Sequence, residues 1–204
     1  MHKEILSAAQ VTLLPLVQEF KREYYLVGGT AIALHIGHRQ SIDFDLFKFA
    51  AINHKKVIAK IVSSGYKHSV TRRVTEQLNV NINEVKFTFF EFPYNFNVTC
   101  KFDNVIKLPD LLTLAAMKAF AVGRRSKWKD YVDLFFIIKY HYTIKQISSK
   151  TFEIFGDLFS EKLFRAQISF FDDIDYTEQV TYIAQPVNED DIKSFLIEKA
   201  IDIL

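Results

Sequence analysis

The spacing of apolar residues predicts a mixture of helices and strands in the first half of the chain. Apolar residues recur at helical spacing over residues 3–21, although Pro15 predicts a kink or a break there. A second helix is predicted at 54–64, with Asn53 as its N-cap and Gly65 as its end. Segments rich in Val, Ile, Thr and Phe then predict three strands, at 66–75, 77–83 and 84–92.

The second half of the chain carries helical patterns almost throughout. Pro109 and Asp110 predict the start of a helix that runs to Gly123. Residues 143–204 predict further helices, the last of which begins at Gln185-Pro186. We therefore expect an α+β protein, in which a small mixed sheet with flanking helices is followed by a helical half.

This pattern suggests two domains. We expect a core with an N-terminal helix at 1–105 and a helical region at 106–204, with the active cleft between them. A chain of 204 residues has ample length for a sizeable hydrophobic core.

The stretch from Tyr24 to Phe47 combines this pattern with candidate chemistry. It predicts a strand at Tyr24–Val27, a Gly28-Gly29-Thr30 turn, a short helix and a second strand. In the second strand three polar residues alternate with three apolar ones, which places them on opposite faces. The polar residues are Ser41, Asp43 and Asp45, and the apolar ones are Ile42, Phe44 and Leu46.

The polar face indicates a site for metal and phosphate. Two neighbouring carboxylates repel each other, so Asp43 and Asp45 gain nothing for stability from sharing a face. Mg²⁺ prefers carboxylate oxygens together with phosphate oxygens from a substrate. The free N–H groups of the helix that follows Gly28-Gly29 suit a phosphate. Together these features are the minimal equipment for metal-assisted transfer of a nucleotidyl group.

Composition narrows the class of protein. Half of the residues are apolar and 20 are Phe, which indicates a globular chain. The single cysteine, Cys100, excludes an internal disulfide and fits a reducing cytoplasm. We find neither a signal peptide nor an apolar run of membrane-spanning length, so we expect a cytoplasmic protein without a membrane partner.

The net charge of +2 hides an asymmetry along the chain. Residues 151–204 hold 12 acids and 4 bases, a net charge of −8, which leaves +10 for residues 1–150. A basic first part suits polyphosphate or RNA ligands, although ordinary solvated surface would give the same count. Asp172, Asp173 and Asp175 form an acidic turn that is either a loop or a second metal site.

The quoted residues resemble a known family. Gly-Gly-Thr followed by R-x-S-x-D-x-D-L-F is similar to the nucleotidyltransferase AbiEii/AbiGii toxin family, within the DNA polymerase β-like nucleotidyltransferases. The resemblance covers 24–47 and 109–137 well and 85–95 loosely. It implies a polymerase β-like core and the toxin role of a bacterial toxin–antitoxin or abortive-infection system. Many such enzymes have a third carboxylate where this chain has Thr88.

A second group of residues matches the family in the helical half. Lys118 corresponds to the lysine of the family's A-x-K-x-x-A-like helix, and the next motif resembles R-x-x-x-K-D-x-x-D-L. The residues matching that motif are Arg125, Lys129, Asp130, Asp133 and Leu134. The resemblance implies that Lys118 offsets triphosphate charge and that Asp130 is a base or positioning group supported by Asp133.

Structural alternatives stay open for these residues. Lys118 either carries its charge out to solvent or meets a negative group, and Asp133 needs Lys118 or an arginine as partner. A purely structural salt bridge would also explain this pairing. The basic run that contains Arg125 and Lys129 is either a solvated helix face or a nucleic-acid patch.

We expect Asp43 and Asp45 to hold Mg²⁺ or Mn²⁺. Phosphates would lie against Gly28, Gly29 and either Thr30 or Ser41. Arg39 would contact a phosphate or pair with an acid of the D-x-D strand.

The expected reaction moves a nucleotidyl group from a nucleoside triphosphate to an acceptor hydroxyl on RNA, tRNA or a protein. A cognate antitoxin is the expected partner. The alternatives are a catalytically idle nucleotide-binding scaffold, which the missing third carboxylate favours, and a protein that acts by binding a partner.

Overall fold

A computed structural model of the chain describes residues 1–202 and divides into two compact units. The first unit is Met1–Asp110, and the second begins at Leu111. Within the described residues, no helix is both long enough and apolar enough to cross a membrane.

The first unit contains three α-helices, a short 3-10 helix at Lys3–Ile5 and seven strands. The helices are α1 (Ala8–Glu19), α2 (Gly28–Ile36) and α3 (His54–Ser63). The strands are β1 (Tyr25–Val27), β2 (Phe44–Lys48), β3 (His68–Val74), β4 (Gln77–Ile82), β5 (Val85–Glu91), β6 (Cys100–Phe102) and β7 (Ile106–Leu108).

Five of these strands form one mixed sheet in the order β1-β2-β5-β4-β3, and β6 pairs with β7 separately. Strand β2 is parallel to β5, whereas the other neighbours in the large sheet are antiparallel. One face of that sheet is the core of the unit. Its central row is fully buried and consists of Leu26, Leu46, Phe89 and Leu78. The ring of Phe20, at the end of α1, packs 4.8 Å from the ring of Phe89.

Among the described residues, strand β3 is an edge of the large sheet that pairs only with β4. All seven of its residues are exposed, and its pairing with β4 shifts register between Val70 and Arg72. Arg72 and Arg73 are successive residues of this strand, and His68 is its first residue.

The second unit is helical. Its α-helices are α4 (Leu111–Val122), α5 (Trp128–Tyr140), α6 (Ile144–Phe155), α7 (Glu161–Ile168) and α8 (Glu189–Ile201), and a 3-10 helix spans Gly156–Leu158. Buried side chains of these helices form its core, and Phe120 of α4 stacks on Phe155 of α6 with ring centroids 3.7 Å apart.

Most of the predicted elements are confirmed. Asn53 caps α3 by accepting a hydrogen bond from the Lys56 N–H, and the three predicted strands are β3, β4 and β5. The N-terminal helix begins later than predicted, at Ala8, because Ser7 and Gln10 form a capping box there. It continues through Pro15 without a break.

Two predicted boundaries are wrong. Strand β2 begins at Phe44, and Ile42 is 63% exposed although we expected it on the buried face. The reason is that the side chains of Thr30 and Gln10 bind the carbonyl oxygen of Asp43, just before β2. The last helix begins at Glu189 and not at Gln185-Pro186, because the side chain of Asn188 caps the N–H of Asp190.

Candidate functional site

The first site residues lie where β1 passes into α2. Gly28 begins the helix with a φ of +72°, a conformation that suits glycine. A Cβ at this position would overlap Oδ2 of Asp45, so the missing side chain makes room for that carboxylate. The carboxylate of Asp45 therefore lies beside the N-terminus of α2, where the positive end of the helix dipole favours negative charge.

Gly29 makes room for a cation in the same way. A Cβ at Gly29 would lie 2.6 Å from Nη2 of Arg39 and 3.3 Å from Oγ of Ser41. Arg39 is buried, and its Nη1 donates a hydrogen bond of 2.9 Å to the carbonyl oxygen of Gln40. The two glycines thus bring one carboxylate and one guanidinium close to the start of α2.

Thr30 fixes the backbone that carries Asp43. Its buried hydroxyl donates to the carbonyl oxygen of Asp43 at 2.5 Å and lies 2.8 Å from Oγ of Ser41. Gln10 of α1 donates to the same carbonyl oxygen at 3.3 Å. These bonds replace the ladder that a longer β2 would have formed, which explains why β2 begins only at Phe44. The phosphate role of Thr30 and Ser41 stays a prediction.

Asp43 and Asp45 are both partly exposed, and Asp45 lies on β2 between β1 and β5. It pairs in register with Thr88 of β5, which pairs with Asn79 of β4. Residues in register point to the same face of a sheet, so Thr88 stands beside Asp45 where a third carboxylate would be expected. Among residues 1–202 no group of three or more His, Cys, Asp or Glu is arranged to hold a metal.

In the second unit, Lys118 lies between two carboxylates. Its Nζ is 2.6 Å from Oδ1 of Asp130 and 2.9 Å from Oδ2 of Asp133. Arg125 donates from Nε to the other oxygen of Asp130 at 2.8 Å. The side chain of Lys118 is 4% exposed and both aspartates are fully buried. Lys118 therefore does not carry its charge out to solvent, and Asp133 has the lysine partner that the sequence allowed.

The charges of this cluster hold Asp130 ionised. Burial acts to raise the pKa of Asp130, but the nearby charges of Lys118 and Arg125 outweigh it and lower this pKa below its usual value. A buried carboxylate with both oxygens hydrogen-bonded is a weak proton acceptor and a firm anchor for cations.

Lys129, the other charged residue of the motif, pairs with a residue that sequence reasoning missed. Glu178 forms ion pairs with both Lys127 and Lys129, one through each carboxylate oxygen. Partial burial acts to raise the pKa of Glu178, but hydrogen bonds and charge from the two lysines lower it to about 2. Glu178 lies far along the chain in a segment without regular periodicity, so no sequence signal linked it to the motif.

The acidic turn before Glu178 is a loop that contacts the connection between α4 and α5. Asp173 accepts a hydrogen bond of 2.8 Å from Oγ of Ser126, and the backbone of Asp175 bonds to Ser126 and Trp128. The cations of the basic run also have partners in this unit, since Arg124 donates to the carbonyl oxygens of Phe120 and Leu158.

The chain is similar to known proteins in sequence and in fold. The family model described as nucleotidyl transferase AbiEii toxin, type IV toxin–antitoxin system, matches residues 15–202. An uncharacterized protein of Aquifex aeolicus is 31% identical over 126 residues, a match that spans 58% of this chain and 59% of that relative's length.

Solved structures share the fold at low sequence identity. MenT4, a nucleotidyltransferase toxin from Mycobacterium tuberculosis, matches with a TM-score of 0.62 and 15% identity, over 95% of this chain and 82% of that one. JHP933 from Helicobacter pylori matches with a TM-score of 0.56 and 13% identity, over 98% and 88% of the two chains. The expected small sheet with flanking helices is thereby confirmed as the fold of nucleotidyltransferase toxins.

Proposed function

This chain belongs to the nucleotidyl transferase AbiEii toxin family of type IV toxin–antitoxin systems, and we propose that it transfers a nucleotidyl group from a nucleoside triphosphate to an acceptor hydroxyl. The observation that carries the proposal is the placement of Asp45 against Gly28 at the N-terminus of α2, with Asp43 just before β2. Two aspartates therefore lie in sequence and structure near a helix N-terminus, within the fold of a nucleotidyltransferase toxin.

The residues present fit a divalent metal. Asp43 and Asp45 offer hard carboxylate oxygens, which suit Mg²⁺ or Mn²⁺. The missing Cβ of Gly28 leaves space for the carboxylate of Asp45. Thr88 adds no carboxylate, so the metal's remaining positions would go to substrate phosphate and water. When bound, the ion would neutralise charge on the triphosphate.

The chain's own residues bind and orient the triphosphate. Backbone N–H groups at Gly28 and Gly29 suit phosphate oxygens, since a helix N-terminus attracts anions. Thr30 holds the Asp43 backbone in place from within the core. The guanidinium of Arg39, packed over Gly29, adds positive charge beside these N–H groups.

Lys118 and Asp130 belong to one buried charge cluster in this proposal. The resemblance implies that Asp130 is a base or a positioning group, and its two hydrogen-bonded oxygens and lowered pKa favour positioning. We therefore propose that Asp130 positions Lys118 and Arg125 and that Asp133 positions Lys118. The resemblance implies that Lys118 offsets triphosphate charge, but its ammonium is 4% exposed and held by these two carboxylates, so we assign it to the internal charge cluster of the second unit.

The acceptor and the biological partner are also part of the proposal. An RNA, tRNA or protein hydroxyl would receive the nucleotidyl group, and a cognate antitoxin would restrain the activity. Under this proposal expression of the protein slows bacterial growth, and Asp45→Ala relieves the effect at equal protein level.

The direct test replaces the two carboxylates. An Asp43→Asn, Asp45→Asn variant should lose nucleotidyl transfer to RNA by ~10²-fold or more, the scale for losing charge stabilisation in a site. The measurement is incorporation of label from an α-labelled nucleoside triphosphate with Mg²⁺. Asp157→Asn, which removes an exposed carboxylate elsewhere, serves as the matched control and should keep wild-type transfer.

One observation favours a second candidate, a nucleotide-binding scaffold without turnover. Thr88 occupies the place of a third carboxylate beside Asp45. Metal-dependent stabilisation by nucleoside triphosphate without any transfer would select the scaffold, because a ligand that binds the folded state raises its melting temperature.

For the first candidate, wild-type transfer by the Asp43→Asn, Asp45→Asn variant would contradict the assignment of Asp43 and Asp45.

A further inference from the structure

A segment of the acidic C-terminal region is fastened to the connection between α4 and α5. The N–H of Asp175 donates to the carbonyl oxygen of Ser126 at 2.7 Å, and the N–H of Trp128 donates to the carbonyl oxygen of Asp175 at 3.1 Å. The ring of Tyr176 packs 5.5 Å from that of Trp128. This segment, residues 171–178, is called the strap below. It ends at Glu178.

The strap delivers one carboxylate to two lysines. One oxygen of Glu178 meets Nζ of Lys127 and the other meets Nζ of Lys129. The side chains are 32% exposed for Lys127, 22% for Lys129 and 40% for Glu178, so solvent reaches all three. A ligand could therefore approach the two ammonium groups once the carboxylate moved away.

Two ammonium groups that share the oxygens of one anion match the chemistry of a phosphate. A phosphate group offers further oxygens and a larger charge than a carboxylate, and it gains more from the same pair of cations. We propose that Lys127 and Lys129 form a binding site for polyphosphate and that Glu178 occupies this site when no ligand is bound. The proposal rests on the proposed function for its ligand class, because a nucleoside triphosphate and pyrophosphate both carry a polyphosphate.

The strap makes Glu178 an intramolecular competitor. The backbone bonds at Asp175 and the packing of Tyr176 on Trp128 do not involve the Glu178 carboxylate, so they hold it near the lysines after displacement. A tethered group competes at a high effective concentration, which lowers the apparent affinity of a free ligand. The strap thus sets how much polyphosphate is needed to fill the site.

The experiment measures binding of inorganic tripolyphosphate by calorimetry at fixed ionic strength and without metal. Glu178→Gln removes the competing charge and keeps the side-chain size, so it should bind tripolyphosphate ~10-fold tighter than wild type. Lys127→Met, Lys129→Met should weaken binding by ~10-fold or more. Glu153→Gln breaks a comparable exposed pair with Lys150 on α6 and should leave the affinity unchanged.

Glu178→Asp provides a second route if Glu178→Gln does not fold. It keeps the charge and shortens the reach, so it should give an affinity between those of wild type and Glu178→Gln. Unchanged affinity in the folded Glu178 variants, or wild-type affinity in the double lysine variant, would overturn the proposal. Failure of nucleotidyl transfer would not affect this readout, because tripolyphosphate binding is measured without turnover. The two proposals can therefore fail separately.

Discussion

Lys118 carries its charge where solvent does not reach, and two carboxylates surround it. Its Nζ lies within 3 Å of both Asp130 and Asp133, and Arg125 meets the free oxygen of Asp130. Removing one partner from such a cluster leaves another buried charge without compensation, which costs far more than losing an exposed ion pair.

A single substitution at Lys118 tests this account. Lys118→Met keeps the apolar stem and removes the ammonium, so the free energy of unfolding should fall by ~3–5 kcal/mol because Asp133 and Asp130 stay buried. Urea unfolding at neutral pH measures the change. Lys145→Met, at an exposed position of α6, is the control and should change the free energy by less than ~0.5 kcal/mol. A Lys118→Met protein as stable as wild type would show that the cluster does not support the fold.

The sequence predicted the pairing of Lys118 with Asp133, but it did not predict the contacts of Glu178. A lone lysine on an apolar helix face and an aspartate beside a run of apolar residues both needed partners, and the structure pairs them. Glu178 could not be predicted in the same way. Its contact with Lys127 and Lys129 depends on the path of the strap, which no local spacing encodes.

The junction of β1, α2 and β2 shows how two glycines position charged side chains. A Cβ at Gly28 would overlap the Asp45 carboxylate, and a Cβ at Gly29 would crowd the Arg39 guanidinium. The sequence predicted this turn as a phosphate cradle. The structure adds that the same glycines first make room for the chain's own carboxylate and guanidinium.

Gly28→Ala measures what that space contributes. The positive φ alone strains an alanine by ~1–2 kcal/mol, and the overlap with Asp45 adds to it, so the unfolding free energy should fall by ~2 kcal/mol or more. Nucleotidyl transfer should fall as well, because Asp45 must move. Gly65→Ala is a matched control, since Gly65 has a similar φ of +74° but nothing within 4 Å of an added Cβ. Equal effects at the two glycines would show that only backbone strain matters.

The elements themselves were largely predictable, whereas their register was not. Segments rich in Val, Ile, Thr and Phe over 66–92 predicted β3, β4 and β5, and the Asn53 cap predicted α3. The pairing of Asp45 with Thr88 joins strands that are far apart in the chain, which periodicity does not determine. The start of β2 was missed because Thr30 and Gln10 bind the Asp43 carbonyl oxygen through their side chains.

Across the whole chain, acidic residues of the C-terminal region neutralise cations of the second unit. Glu178 pairs with Lys127 and Lys129, and Glu189 pairs with Lys193 at 2.6 Å. The excess of acids after residue 150 therefore contributes to internal pairing as well as to surface charge. Composition revealed the asymmetry, but the partners became visible only in the fold.

These pairs predict a loss of stability in acid. The pKa of Glu178 falls from 4.5 in the unfolded chain to about 2 in the folded protein, so its contribution is full above pH 4.5 and is lost as pH falls toward 2. After allowance for solvent screening we expect this contribution to be ~1 kcal/mol. Glu178→Gln should therefore be less stable than wild type at pH 7, and the difference should vanish near pH 2 in urea unfolding. A difference that grew as pH fell would contradict this assignment.

The edge strand β3 has a consequence for how the protein behaves at high concentration. A strand that pairs on one side and leaves the backbone groups of its other side in solvent is a template for pairing with another chain, and such edges promote aggregation. Here the register shift beside Val70 interrupts the flat edge, and Arg72 and Arg73 place two positive charges on it. A second copy that approached this edge would meet like charges and a distorted ladder. The sheet can therefore remain open on this side without joining molecules into fibres.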